Sequence, residues 1–120
     1  MRNTKTDLAL ISTAMEKLIA RRSSYSKTSC AVLTCCGNTY SAVNIKIHNS
    51  APCSVCAEQI AIGYAVSQGI TQMKTIVAIA NWTGTARIIL PCGMCKEFIK
   101  QFGNPYIITS MTTKTKLSNL

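Results

Sequence analysis

Cys56, Ala57, Glu58 and Gln59 stand in one run, and Pro91-Cys92-Gly93-Met94-Cys95 follows further along the chain. Only four side chains are carboxylates, yet one of them lies two positions after a cysteine. Two thiols spaced Cys-x-x-Cys at the start of a helix can both reach one tetrahedral zinc ion, with each sulfur about 2.3 Å away. A third thiol from a separate segment then leaves the fourth position open, which distinguishes a catalytic zinc from a structural one. Zinc lowers the pKa of a water it holds from about 15.7 toward roughly 7. A carboxylate two residues from one ligand is placed to carry that water's protons, general acid–base work worth about 10²- to 10⁴-fold. The pattern is that of a hydrolase that activates water.

Other readings of the same cysteines follow from their spacing. Cys92-x-x-Cys95 alone serves structural zinc ribbons and redox pairs as readily as catalysis. Cys53, three before Cys56, offers a fourth thiolate and with it a closed structural site. Cys30, Cys35 and Cys36 read as core or surface residues. His48, the single histidine, reads as a loop residue or as part of a pocket rim.

The elements that must position these groups are legible from periodicity. Leu8, Ile11, Met15, Leu18 and Ile19 recur at helical spacing and predict an amphipathic helix over Asp7 to Arg21. Ser29 to Cys36 and Thr39 to Ile45, separated by Gly37-Asn38, predict a β-hairpin, with Pro52 in the loop beyond it. A helix is expected from Cys56 to Gln68, ended by Gly69, then a buried strand over the β-branched run Lys74 to Ala80. Pro91 introduces a second site helix reaching Phe102, stopped by Gly103-Asn104-Pro105, and Tyr106 to Thr109 predicts the next strand. Strands separated by helices imply a layered α/β fold. Cys56 at one helix start and Cys92 with Cys95 at another turn the positive ends of two helix dipoles toward three thiols, which favours their ionised forms.

Cys-Ala-Glu followed by Pro-Cys-Gly-x-Cys resembles the zinc-dependent cytidine deaminase family, and the pattern is the known signature of zinc deaminases. The resemblance runs from Tyr25-Ser26 through Val43-Asn44-Ile45 to Phe102-Gly103, and Cys at position 56 is similar to the small Cys-type cytidine deaminases and the blasticidin-S deaminases. It implies a three-layer αβα fold with a mixed β-sheet and helices on both faces. It implies Zn²⁺ on Cys56, Cys92 and Cys95, with Glu58 as proton shuttle. The Ala57 amide would bond the pyrimidine carbonyl and the Leu90 carbonyl would receive the leaving amino group. The reaction implied is hydrolytic deamination of cytidine or deoxycytidine to the uracil nucleoside and ammonia, with a modified cytosine nucleoside of the blasticidin-S kind as the alternative.

Departures from that family pattern concern the substrate. Where the family has an Arg after the catalytic Glu, this chain has Gln59, an uncharged donor expected to leave the metal more electron-rich. The family grips ribose hydroxyls with an Asn and a Glu two residues later; Asn44 is kept, but Lys46 takes the second place. Lysine has three donors and no acceptor, so a phosphate or carboxylate suits it better than a hydroxyl does. Thr28 lies near the place of the family's base-stacking Phe, and Trp82 reads either as a replacement ring or as packing between subunits.

Composition bounds the rest. With 48% hydrophobic residues and no low-complexity stretch, residues 1–120 are expected to form one domain with one core. No run of about 20 apolar residues suggests a membrane span, and Asp7 and Glu16-Lys17 around the apolar stretch Leu8 to Met15 fit a signal peptide poorly. Seven cysteines, three assigned to metal, point to a reducing cytoplasm. The net charge of +9 raises nucleic-acid binding or editing as another class. The basic residues form no dense run, however, so a small-molecule nucleoside is the expected partner. By resemblance the chain assembles as a homotetramer, with a homodimer as the alternative, and Lys116 to Leu120 is similar to a shortened family C-terminus.

Overall fold

Thr4 and Asp7 form a capping box that starts helix α1 (Lys5–Arg21) in the computed structural model, which describes residues 1–120. The Asp7 amide donates to the Thr4 hydroxyl, and the Asp7 carboxylate accepts from the Thr4 amide, so two otherwise unpaired donors are satisfied. The helix thus begins two residues before the Asp7 expected. Its buried stripe is Leu10, Ile11, Ala14 and Leu18, whereas Leu8 and Ile19, expected on the apolar face, are exposed. Ala14 is fully buried, and its carbonyl accepts the Ser29 hydroxyl of the sheet at 2.7 Å.

Strands β1 (Thr28–Thr34) and β2 (Thr39–Val43) make the expected hairpin around Gly37, whose φ of 94° favours glycine. β2 stops at Val43 and does not reach Ile45. Asn44 folds back there, its Oδ1 accepting the amides of Lys27 and Thr28, both at 3.0 Å. A 3-10 turn (Ala51–Cys53) leads to α2 (Ala57–Ser67), followed by β3 (Met73–Ala80), β4 (Arg87–Ile89), α3 (Gly93–Lys100), β5 (Tyr106–Ile108), β6 (Lys114–Lys116) and a last 3-10 turn (Leu117–Asn119). Both site helices are shorter than the spacing predicts, with Cys56 and Cys92 as their N-caps.

The sheet has the order β2-β1-β3-β5-β6. β3 pairs with β1 along one edge; along the other, β4 pairs antiparallel with Ala78–Ala80 and β5 pairs parallel with Thr75 and Ile76. The sheet is therefore mixed. Alternation along the two central strands separates the core into two faces. Ala31, Leu33, Val77 and Ile79 pack under α1, while Cys30, Val32 and Ile76 pack with Ala57, Ala61, Ile62 and Ala65 of α2 and Ile99 of α3. This is the three-layer αβα arrangement.

β4 and β6 have no counterpart in the sequence reading. Each is three residues long, too short for a period, and Lys114-Thr115-Lys116 reads as polar surface. Lys114 is nonetheless buried. Its ammonium donates to the Asp7 carboxylate at 2.7 Å and lies 4.7 Å from the centre of the Tyr106 ring. Burial would raise the Asp7 carboxyl, but the bonds from Lys114 and from the Thr4 amide and hydroxyl outweigh it and hold its pKa below the ordinary value.

Candidate active site

Both site helices begin at one edge of the same layer, and their first turns carry the functional groups. Cys56 caps α2 in extended backbone, and Glu58 follows in the first turn. Cys92 caps α3, its Sγ accepting the Cys95 amide at 3.4 Å, and Cys95 is buried one turn on. The sulfurs of Cys56, Cys92 and Cys95 all lie within 4.8 Å of one another. A tetrahedron with 2.3 Å metal–sulfur bonds has an edge of about 3.8 Å, so small side-chain movements bring the three onto one zinc ion. Cys53 is outside this group, exposed at the 3-10 turn with its sulfur 3.3 Å from the Ser50 hydroxyl, so the four-thiolate alternative lacks its fourth ligand.

The two helix starts do not by themselves ionise the triad. Cys92 alone is shifted down, because the Cys95 amide donates to its sulfur. Burial, followed by the charge of Glu58 and the neighbouring thiols, pushes Cys95 far up; burial is also the main cause of the rise at Cys56. Three crowded thiols beside a carboxylate disfavour ionisation until a divalent cation takes them, since a coordinating thiol is deprotonated outright. The donor set, its crowding and its missing fourth sulfur fit a zinc ion held by three thiolates.

Glu58 is 5% exposed. Burial raises its carboxyl above the ordinary carboxylate range, against the opposing pull of its own backbone amide and of the Cys95 thiol. A carboxyl so placed holds a proton closer to neutrality than a surface carboxylate does, as proton transfer requires. Gln59, at the place of the family's Arg, directs its amide to the Met94 sulfur at 3.9 Å.

The triad and Glu58 form one wall of a cavity of about 430 Å³. Ala57, Leu90, Asn44 and Lys46 also line it, so every residue proposed from the sequence meets at one place. Thr28 and Trp82 are on the wall too, which brings the Trp82 ring to the cavity. The guanidinium of Arg87 steadies that ring from 5.3 Å. A hollow of about 450 Å³ beside α3 and the C-terminal turn is comparable in size, but it has no buried titratable side chain and no ligand set. Sequence reasoning missed Tyr25, Lys27 and Ser24, which share a smaller recess with His48 beside the main cavity. Their only signal was proximity to the Tyr25-Ser26 pair.

Residues 4–111 match the family model for the cytidine and deoxycytidylate deaminase zinc-binding region. The chain is similar to a blasticidin-S deaminase of Bacillus cereus, at 34% identity over 115 aligned residues, covering 90% of this chain and 81% of that protein. It is also similar to a cytidine deaminase of Sporosarcina psychrophila, at 33% identity over 111 residues, covering 81% and 78%. Among solved structures, the cytidine deaminase from Mycobacterium leprae matches with a TM-score of 0.81 at 18% identity, covering 98% of this chain and 97% of that one. At that identity the likeness is one of fold.

Proposed function

The chain belongs to the cytidine and deoxycytidylate deaminase zinc-binding family, and from that premise we propose that it hydrolyses the exocyclic amine of a cytosine nucleoside, giving the uracil nucleoside and ammonia. The observation that carries this reading is the buried Glu58 carboxyl beside three convergent sulfurs on the wall of an open cavity. Cys56, Cys92 and Cys95 would hold zinc, which supplies the Lewis acidity that makes water a nucleophile near neutral pH.

The protein's own groups do the rest. Glu58 takes a proton from the attacking water and delivers it to the ring nitrogen, then carries the proton of the added hydroxyl to the amine, so that the oxygen stays on the ring as a carbonyl and the amine leaves as ammonia. Ala57 is the first residue of α2, so its N–H has no partner in the helix and is free to bond the ring carbonyl. Leu90, on the cavity wall after β4, offers its carbonyl to the amine. Asn44 and Lys46 meet the sugar side, and Trp82 covers the ring.

Lys46 supports a second reading. A cationic donor in place of a carboxylate favours a modified sugar, and the Bacillus cereus relative is a blasticidin-S deaminase. The site then deaminates a cytosine nucleoside of that kind. All seven cysteines are free, in keeping with a cytoplasmic location. One sheet runs from β2 to β6, and the isolated Arg2–Thr113 bridge ties the first residues beside it, which supports a single domain over residues 1–120. The charge-free outer face of α2, with Tyr64 and Val66 exposed, supports assembly into a homotetramer.

Ammonia release by zinc-loaded protein from cytidine, deoxycytidine and blasticidin S tests the reading. Turnover of a cytosine nucleoside that Glu58→Ala reduces by about 10²-fold or more supports it. Activity untouched by that substitution would remove Glu58 from the chemistry.

A further inference from the structure

Helix α1 carries more apolar surface than the sheet covers. Lys5, Leu8, Ser12, Met15 and Ile19 recur at alternating steps of three and four, the spacing of a coiled-coil seam. The sheet buries Leu10, Ile11, Ala14 and Leu18, so the seam runs along the flank of that contact. Leu8 and Ile19 are the large apolar side chains of α1 that stay exposed, both belong to the seam, and Ile19 is 76% accessible.

Beside the seam the surface is hollow. One depression of about 360 Å³ lies between Ile11 and Met15 of α1 and Ile88 of β4, with Met111 at its rim. A second, of about 450 Å³, shares Met15 and Ala86 with the first and continues past Leu18 and Ile19 to Arg22. Together they form a groove along α1 of about 16 Å, the rise of the eleven residues from Ile11 to Arg22. An apolar groove of this shape accepts the apolar side chains of a helix laid along it. The two cations at its end are already engaged: Arg22 donates to the Asn81 carbonyl at 3.4 Å, and Arg87 lies over the Trp82 ring.

Charge selects the helix that fits. Lys5 and Glu16 are exposed, eleven residues and so about three turns apart on the same flank of α1. Neither has a partner within the chain, whose two ion pairs are Lys100–Glu97 and Lys114–Asp7. A second α1 running parallel would set lysine against lysine and glutamate against glutamate. Running antiparallel about a two-fold axis, it sets each Lys5 against the partner's Glu16, and the same register brings each Leu8 within one turn of the partner's Met15.

We propose that the groove between α1 and β4 is a docking surface for α1 of a second copy of this chain, antiparallel about a two-fold axis, with two reciprocal Lys5–Glu16 pairs fixing the register. α1 and α2 pack on opposite sides of the sheet, so this contact is independent of any assembly through α2 and of what the cavity binds. The net charge of +9 opposes the approach of two copies, which makes the contact concentration-dependent and not permanent.

Sedimentation velocity of the zinc-loaded protein over a wide concentration range tests this. The wild type is expected to show a step that doubles the mass of the species below it. Lys5→Glu and Glu16→Lys should each weaken that step about tenfold or more, because two attractive pairs become two repulsive ones. Mixing the two variants should restore it, since each then offers the charge that the other lacks, and so should combining both substitutions in one chain. Ile19→Glu should weaken it more than tenfold in every background, because a carboxylate would enter the apolar contact unpaired. All these positions are exposed, and a misfolded variant would not be rescued by mixing. A wild type without the doubling step, single variants that associate as well as the wild type, or a mixture no better than its components would overturn the proposal.

Discussion

Glu58 is buried, and its neighbours are thiols, so its carboxyl has a use only if a reacting group comes to it. Glu58→Gln is therefore expected to keep one zinc per chain and lose about 10²- to 10⁴-fold in kcat, with metal content and rate measured on the same sample. Cys95→Ser should do the reverse and lose the metal first, because a buried hydroxyl cannot replace a thiolate. The convergence of Glu58 with the three thiols was legible because their spacing is the spacing of helix starts. Asn44 was legible only as a substrate contact. Its bonds to Lys27 and Thr28 span 17 and 16 residues and depend on how β2 meets β1, which no local pattern announces. Asn44→Ala should thus lower stability by about 1–3 kcal/mol in urea unfolding, since two amides lose their acceptor. An unchanged midpoint would mean that water takes over.

At the scale of elements, the long strands and helices follow from hydrophobic period, while β4 and β6 are held by what they lie against. β6 is tied down by the Lys114–Asp7 pair, with both side chains largely buried. Removing one partner of such a pair strands the other, so Asp7→Asn should cost about 3 kcal/mol, and adding Lys114→Met should recover part of the loss. The pair also sets a pH dependence. The Asp7 pKa is depressed in the folded state, so its contribution is complete above the ordinary value of 3.8 and is lost as pH falls through the lower folded value. Urea midpoints of the wild type should fall steeply below that pH, and the corresponding limb should flatten in Asp7→Asn. The stripe on α1 was legible only in part: Ile11 and Leu18 are buried and Met15 packs beside them, but Leu8 and Ile19 are exposed, because periodicity admits several faces and the sheet selects among them.

Across the whole molecule the metal bears on one face only. Zinc held by the triad would join the starts of α2 and α3, while α1 packs on the opposite side of the sheet with an apolar cluster of its own. Chelation should lower Tm by roughly 10 °C or more, as loss of a tightly bound native-state ligand does, with most far-UV helix and strand signal retained below the transition. A Tm indifferent to chelator would mean that the triad is not occupied in the folded protein. The layered α/β class was readable because alternation of strands and helices leaves few topologies. The shared edge of β3, with β4 on one half and β5 on the other, was not readable, since it is decided by where two short segments find room. That arrangement also gives the chain a timetable. Asp7 waits for a partner 107 residues later, and at about 5–20 residues per second a ribosome reaches Lys114 roughly 5 to 20 s after it adds Asp7. Through that interval α1 can form and cap itself, but its carboxylate has no cation to meet and must stay in water. The first helix made can thus meet Ala31, Leu33, Val77 and Ile79 while its Asp7 carboxylate still lacks the cation that completes its surroundings.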